Sequence, residues 1–529
     1  MPTYYFDAVN GNNANPGTEA QPKRLVDEFG NGATGDIYYI KRGTVQLVTR
    51  TPGNPYLFFP IGARVMAYGD GPNPIWRATG PARDLGGMII LATNRRDMVI
   101  MDQDFDGERA LTHSLYAAAQ PGNTQAQVPQ SNTFIRCRFY GFTGSGIQAT
   151  IEEPSNATRF GPFGFTFDSC DFFDNAVHGL LLMGPNHRVV NCRAWNNGWN
   201  SPTGAHGFST RYARLTPPSW TLDTTPGLTN VYFVTVGSDI ATGMSKLAGP
   251  RWVGFETSVP YTRNVNTTPS SLTDEQYLLN GTTLYVKLPS GVTPNNGNIT
   301  YAWGDTENIL FVGCEAWGTI WDLTTPFTEG HGFVADDYAG THKFVNCYAH
   351  DNEGTGFNFN RGDGNMAIGC VAVRNGVGGL GCNLSRDSKI RNCTFLDNGL
   401  TTRPSGAQVG EILFNGPSTT GSEVRNCVLL GSLSRGISFW PGAANCNSIS
   451  NNINGYGTAV FNGTATGTVT TNTRANLYPD GSLKPPGTSN PLALAGSYLS
   501  GITLRNGRLR PGGVPIGAYM PTLPRTPRL

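Results

Sequence analysis

Eight of the ten cysteines of this 529-residue chain stand in one recurring sequence context, and that repetition constrains the fold more than any other feature. The segments IRCRFYGF, FDSCDFFDN, VVNCRAWNN, FVGCEAWGT, FVNCYAHDN, AIGCVAVRN, IRNCTFLDN and VRNCVLLGS centre on Cys137, Cys170, Cys192, Cys314, Cys347, Cys370, Cys393 and Cys427. Apart from one gap of 122 residues, successive cysteines lie 22 to 34 residues apart, a solenoid period far below the length of a domain. The residue two after the cysteine is apolar and often small (Phe172, Ala194, Ala316, Ala349, Ala372, Phe395, Leu429), while the residue between varies freely. That alternation marks a strand with one buried face. Five residues after the cysteine stand Asn175, Asn197, Asn352, Asn375 and Asn398, placed to hydrogen-bond from coil to coil at a turn. A second strand opens with Gly179, Gly207, Gly332, Gly356, Gly379 or Gly436. Two strands per coil, repeating without helical crossovers, stack in parallel. The fold expected is all-β, a parallel β-helix, with the thiols buried in one column. No CxxC pair is present, which argues against a zinc or redox site.

Composition agrees. With 68 glycines and only 14% charged residues, the chain has many turns and little material for amphipathic helices. A formal net charge of +1 without basic runs gives no global field toward nucleic acid or an anionic membrane. The N-terminal MPTYYFDAVNGN has neither a charged nor an apolar leader region, and no run of about 18 apolar residues occurs, so neither an export signal nor membrane insertion is expected. The gap between Cys192 and Cys314 holds strand-like runs of different grammar, NVYFVTVG, RWVGFET and TTLYVKLP. The division expected is an N-terminal cap with the first coils (1–130), coils (131–211), an inserted β-rich subdomain (212–307), further coils (308–470) and a C-terminal cap region (471–529).

Four stretches together, YYFDAVNGNNANPGTEAQPKR, the NC repeats, SLTDEQYLLNGTTLYVKLPSGVTP and LRNGRLRPGGVPIGAY, resemble the pectate-lyase-like right-handed β-helix superfamily, including bacteriophage tailspike depolymerases and secreted polysaccharide lyases and hydrolases. The resemblance implies a polysaccharide substrate and a place on a virion tail or outside the cell. It also suggests a homotrimer and contact with other virion tail proteins, while LRPGGVPIGAYMPTLPRTPRL shows no heptad repeat and leaves a monomer open. It leaves open glycosidic hydrolysis, β-elimination on a uronate polymer, and a non-catalytic carbohydrate-binding spike or adhesin, because one scaffold hosts many chemistries. No cofactor is implied apart from Ca²⁺, which some lyases of the superfamily use.

The column register nominates site residues. The position before the second-strand glycine is His178, His206 and His331, then Thr355; three positions before it stand Glu329 and Glu353. Two carboxylates on adjacent coils would lie about 4.8 Å apart, near the roughly 5 Å of retaining glycosidases, where crowding makes one an acid beside a base. The segment TPFTEGHGFVADDYAG gathers Glu329, His331, Asp336 and Asp337 within nine residues, yet seven extended residues span up to about 23 Å. Two candidate sites follow. One is Glu329 and Glu353 with His206 and His331. The other is Asp336 and Asp337 with Arg211 and Arg361, which fall in nearly matching positions of neighbouring coils. In a lyase, either arginine would neutralise a uronate while a histidine or Tyr338 takes the proton. The same residues also suit a turn ladder and a surface ion-pair network.

The position three after the cysteine carries Phe173, Trp195, Trp317 and His350, an aromatic stripe suited either to sugar rings or to packing beneath the insertion. Asp174, Asp351 and Asp397 invite a Ca²⁺ reading, weakened by the intervening Arg374. No GxSxG, P-loop or HExxH motif occurs.

Overall fold

The computed structural model describes residues 2–25, 32–49, 59–79, 87–91, 95–109, 113–119, 128–151, 162–201, 204–211, 213–215, 220–236, 252–255, 262–264, 268–294, 299–303, 306–320, 330–336, 340–399, 410–416, 419–431, 435–439, 445–449, 451–454, 458–461 and 464–466. Three long parallel sheets of fourteen, twelve and eleven strands run through it, so the chain is a parallel β-helix. One coil consists of Lys343–Val345 in the first sheet, Tyr348–His350 in the second and Thr355–Asn360 in the third. The next coil repeats it with Met366–Ile368, Val371–Val373 and Gly378–Asn383, each strand in register with its predecessor.

The coil therefore has three strands, where the sequence pattern suggests two. The cysteine-centred segment is broken by the residue before the cysteine, which has positive φ in every repeat: Arg136, Ser169, Asn191, Gly313, Asn346, Gly369, Asn392 and Asn426. Asparagine and glycine dominate because the left-handed region costs them least. A second bend of the same kind sits four residues after the cysteine, at Asp174, Asn196, Gly318, Asp351, Arg374 and Asp397. Each cysteine lies just inside the first bend, fully buried, with its thiol directed at carbonyls of its own and the preceding coil (Cys314 Sγ to Val189 O, 3.2 Å). All ten cysteines are free and buried.

The asparagine ladder forms just inside the second bend. Asn352, Asn375 and Asn398 each pass an Nδ2 hydrogen on to a backbone carbonyl of the coil before, and Oδ1 of Asn375 and of Asn398 receives both the side-chain and the backbone N–H of its predecessor at 2.8–3.2 Å. Asn175 and Asn197 do the same, and Thr319 fills the rung between the two runs. Bends that would otherwise bury orphaned backbone groups are thereby satisfied. The interior is a set of stacked apolar columns, such as Phe208, Phe333 and Phe357 with centroids 5.1 and 5.0 Å apart.

Two further sheets, of three and five strands, lie between the third-sheet strand His206–Arg211 and the first-sheet strand Leu310–Val312, and all but one of their pairings are antiparallel. They contain a small core of Val231, Leu272 and Leu278. Among the described residues no helix is long and apolar enough to cross a membrane. Residues 471–529, expected as a cap region, lie outside the described residues.

Candidate functional site on the outward face of the third sheet

The third sheet gathers most of the polar positions nominated from sequence, and its local geometry decides which way they face. A Cβ built on Gly207 would meet Ala316 Cβ at 3.1 Å and Ala194 Cβ at 3.3 Å, and one on Gly332 would meet Ala349 Cβ at 3.2 Å. These glycines point into the core, and the following Phe208 and Phe333 are core residues too. The residue before each glycine is therefore turned away from the core, and alternation beyond the phenylalanine puts Ser209 and Arg211 on that side of one strand and Val334 and Asp336 on that side of the next; Ser209 and Val334 are buried there, Arg211 and Asp336 partly exposed.

The histidine column is a stack. His178 and His206 lie 5.0 Å apart at 16°, His206 and His331 5.3 Å apart at 13°. All three are less than one-tenth exposed. Burial, then the neighbouring His178, His331 and Arg211, push His206 well below its ordinary pKa, so this ring is neutral. His331 is fixed by the next coil: the Thr355 backbone N–H donates to its Nδ1 at 2.9 Å and the Thr355 hydroxyl lies 2.8 Å from the same atom. A backbone N–H can only donate, so Nδ1 is an acceptor and the proton of the neutral ring sits on Nε2. That nitrogen lies 3.0 Å from the Asn358 side-chain amide, which can turn its oxygen to the proton. Both nitrogens of His331 are engaged, so the base expected there is better described as a positioning group.

The other end of the strand carries the charge. Arg211 and Asp336 are in register on adjacent coils, their closest side-chain atoms 3.8 Å apart. Asn360 follows in the same column and donates its Nδ2 hydrogen to Asp336 Oδ1 at 2.6 Å. Asn383 and Asn415 continue it. The side-chain amides of Asn383 and Asn358 are hydrogen-bonded to each other at 3.1 Å. The two ends of the strand, read from sequence as rival sites, are thus joined by amides into one face running His331, Asn358, Asn383 beside Arg211, Asp336, Asn360.

Other expectations fare differently. Glu329, Asp337 and Tyr338 lie outside the described residues. Glu353 is half-buried in the turn before Thr355, its N–H bonded to Thr319 O. Arg361 does not share the Arg211–Asp336 column. It stands one residue past Asn360, at a positive-φ bend, with its N–H on Asn383 O.

The aromatic stripe is real but lies on the second sheet. Tyr140, Phe173, Trp195, Trp317 and His350 stack at 4.8, 4.4, 5.0 and 5.6 Å, with planes within 10°. The faces of Trp195 and Trp317 are occupied by neighbouring rings, so the sugar platform expected of them is closed and only ring edges face out. Asp351 is held by Arg374 at 2.7 and 2.8 Å and by His350 at 2.7 Å, and Asp174 by Arg109 at 3.2 Å. These aspartates serve positive-φ bends and ion pairs, and among the described residues no three metal-ligating side chains converge. Sequence reasoning missed Ser209, Asn358, Asn360 and Asn383, although GFST, GFNFN and GLGCN align with GFVAD.

Residues 307–474 match the family model described as "Right handed beta helix region". Two A-modules of Azotobacter vinelandii mannuronan C-5 epimerases share the fold. AlgE4 is 14% identical, covering 86% of this chain and 97% of that one at a TM-score of 0.52. AlgE6 is 14% identical, covering 84% and 92% at a TM-score of 0.51. No curated protein matches the sequence. The fold is the right-handed parallel β-helix that the sequence resemblance implied.

Proposed function

We propose that the protein is a polysaccharide depolymerase, acting outside the cell that makes it, whose polymer lies along the outward face of the third sheet and is hydrolysed beside Asp336. The observation that carries this reading is the unbroken polar column Arg211, Asp336, Asn360, Asn383 and Asn415. Its rungs repeat about every 4.8 Å, close to the length of one sugar unit, so a linear polymer can meet one polar side chain per residue. Asp336 is held by one amide on Oδ1 and by a loosely spaced guanidinium on Oδ2, a carboxylate able to serve as nucleophile or base. Its partner carboxylate would come from Asp337, the candidate next to it in sequence.

β-Elimination is the second reading. Arg211, in the same column as Asp336, could neutralise a uronate carboxylate while a neighbouring base removes the adjacent proton.

The test is product analysis on a panel of bacterial polysaccharides. Hydrolysis releases saturated reducing ends. An ultraviolet-absorbing unsaturated uronate would transfer the reading to elimination. Asp336→Asn is expected to lower kcat by about 10²- to 10⁴-fold while shifting stability by no more than about 1 kcal/mol, because its ion pair is loose and partly exposed. Full activity in Asp336→Asn, Asp337→Asn, Glu329→Gln and Glu353→Gln would overturn the assignment.

A further inference from the structure

Past Asp336, the outward strand positions carry no charge: Asn358 and Asn360, then Gly381 and Asn383, then Leu413 and Asn415. Gly381 has no positive φ, so its backbone does not require glycine. Space there is tight on one side: a Cβ would sit 3.3 Å from Asn358 Oδ1, so that amide would have to shift by a few tenths of an ångström, with Thr355 Cγ2 at 3.8 Å and Asn383 Nδ2 at 4.0 Å in ordinary contact. The bare position lets the Asn383–Asn358 hydrogen bond lie flat across the sheet. Asn360 and Asn383 are half-buried, and each side-chain amide makes one hydrogen bond to a neighbour, Asp336 and Asn358 respectively. Each amide therefore keeps both donor and acceptor capacity for a ligand.

We propose that this amide strip is a binding site for uncharged sugar residues, whose hydroxyl or acetamido groups exchange hydrogen bonds with the Asn360 and Asn383 amides as the polymer runs from Asp336 toward Asn415. The inference rests on the depolymerase reading and adds the substrate class. A polyuronate would bring a carboxylate to every rung, and the outward strand positions of the strip offer no cation to pair with it. The strip therefore selects neutral or N-acetylated glycans and favours hydrolysis over elimination.

The probe is an immobilised array of neutral, N-acetylated and uronate oligosaccharides, followed by kinetics on the polymer retained. The full chain is expected to hold neutral or N-acetylated glycans, with retention changing less than about twofold between roughly 0.05 and 0.5 M salt, since no charge pair is screened. Asn383→Ala is expected to raise KM about fivefold, the loss of one net hydrogen bond, with kcat unchanged. Gly381→Ala, which pushes on Asn358, should act in the same direction. Thermal melting of both variants shows that the fold is kept, and Asn383→Ala, at a half-buried surface position, stands alone if Gly381→Ala misfolds. Selective retention or cleavage of uronate glycans overturns the inference and leaves the depolymerase reading standing. So does an unchanged KM in Asn383→Ala while Asp336→Asn is inactive. A protein that neither retains nor shortens any glycan overturns both.

Discussion

Acid should loosen this β-helix through two histidines that lie away from the candidate site. His187 and His342 are fully buried at the entry to the first sheet, in the column that Asn132 and Asn365 occupy on other coils. On each ring Nδ1 accepts a backbone N–H from the preceding coil, Phe165 at 3.1 Å and Ile309 at 3.2 Å. Protonation would set one N–H against another in a dry interior. Burial accordingly pushes His187 down to about 4 and His342, helped by the charge of His187, down to about 3. Both folded values lie below the ordinary one, so the unfolded chain takes up protons first. Stability is fully present above about pH 6.5 and is lost as pH falls toward the folded values. At roughly 1.4 kcal/mol per pH unit, each histidine removes about 2.5 kcal/mol between pH 6.5 and 4.5, about 5 kcal/mol together.

The diagnostic variant replaces both with asparagine, which already accepts the equivalent N–H of Met98 at Asn132 and of His342 at Asn365. Asparagine keeps the acceptor and removes the titration. Urea midpoints followed by circular dichroism at several pH values should show the double variant losing about 1–2 kcal/mol per site at pH 7.5 from reduced packing, but sparing about 5 kcal/mol of the acid-dependent loss. Any residual slope would come from groups such as His206, also neutral and buried. An acid profile identical to that of the parent would refute the reasoning.

Asn375→Ala removes an amide that bonds Ala349 O, Asn398 Oδ1 and both nitrogens of Asn352, so it should cost about 3–5 kcal/mol, read as a lowered urea midpoint with faster hydrogen exchange at the Asn352 amide. Trp195→Ala breaks the stack on both faces and should lower stability by about 2–3 kcal/mol while leaving KM for the glycan unchanged; a large rise in KM would reopen the second sheet as a sugar platform.

Much of the fold was legible because the period of the solenoid forces the same residue types into the same places. The third strand was not, because the residue before each cysteine serves the bend through its backbone and leaves no apolar signature. An Asn or Gly in six of eight repeats was the available signal, and it reads equally as an ordinary strand residue until φ is known. His187 and His342 were likewise visible as histidines five residues before Cys192 and Cys347, but their role depends on which N–H faces them.

The candidate site was half legible for a related reason. Charged and titratable residues announce chemistry in a sequence, so Arg211, His331 and Asp336 were found, whereas amides at equivalent positions read as turn formers. Rung spacing then sorts them in space. Flat rings repeated every rung satisfy one another, and Trp195 and Trp317 close their own faces. Amides repeated every rung are satisfied where backbone carbonyls and N–H groups lie beside them, as in the Asn352, Asn375 and Asn398 ladder, whereas Asn360 and Asn383 each make one side-chain contact to a neighbour and keep further donor and acceptor capacity. A half-buried amide column of this second kind has groups left for a polymer of the same repeat, and that is why the proposed glycan site lies on the third sheet rather than on the more conspicuous aromatic stripe of the second.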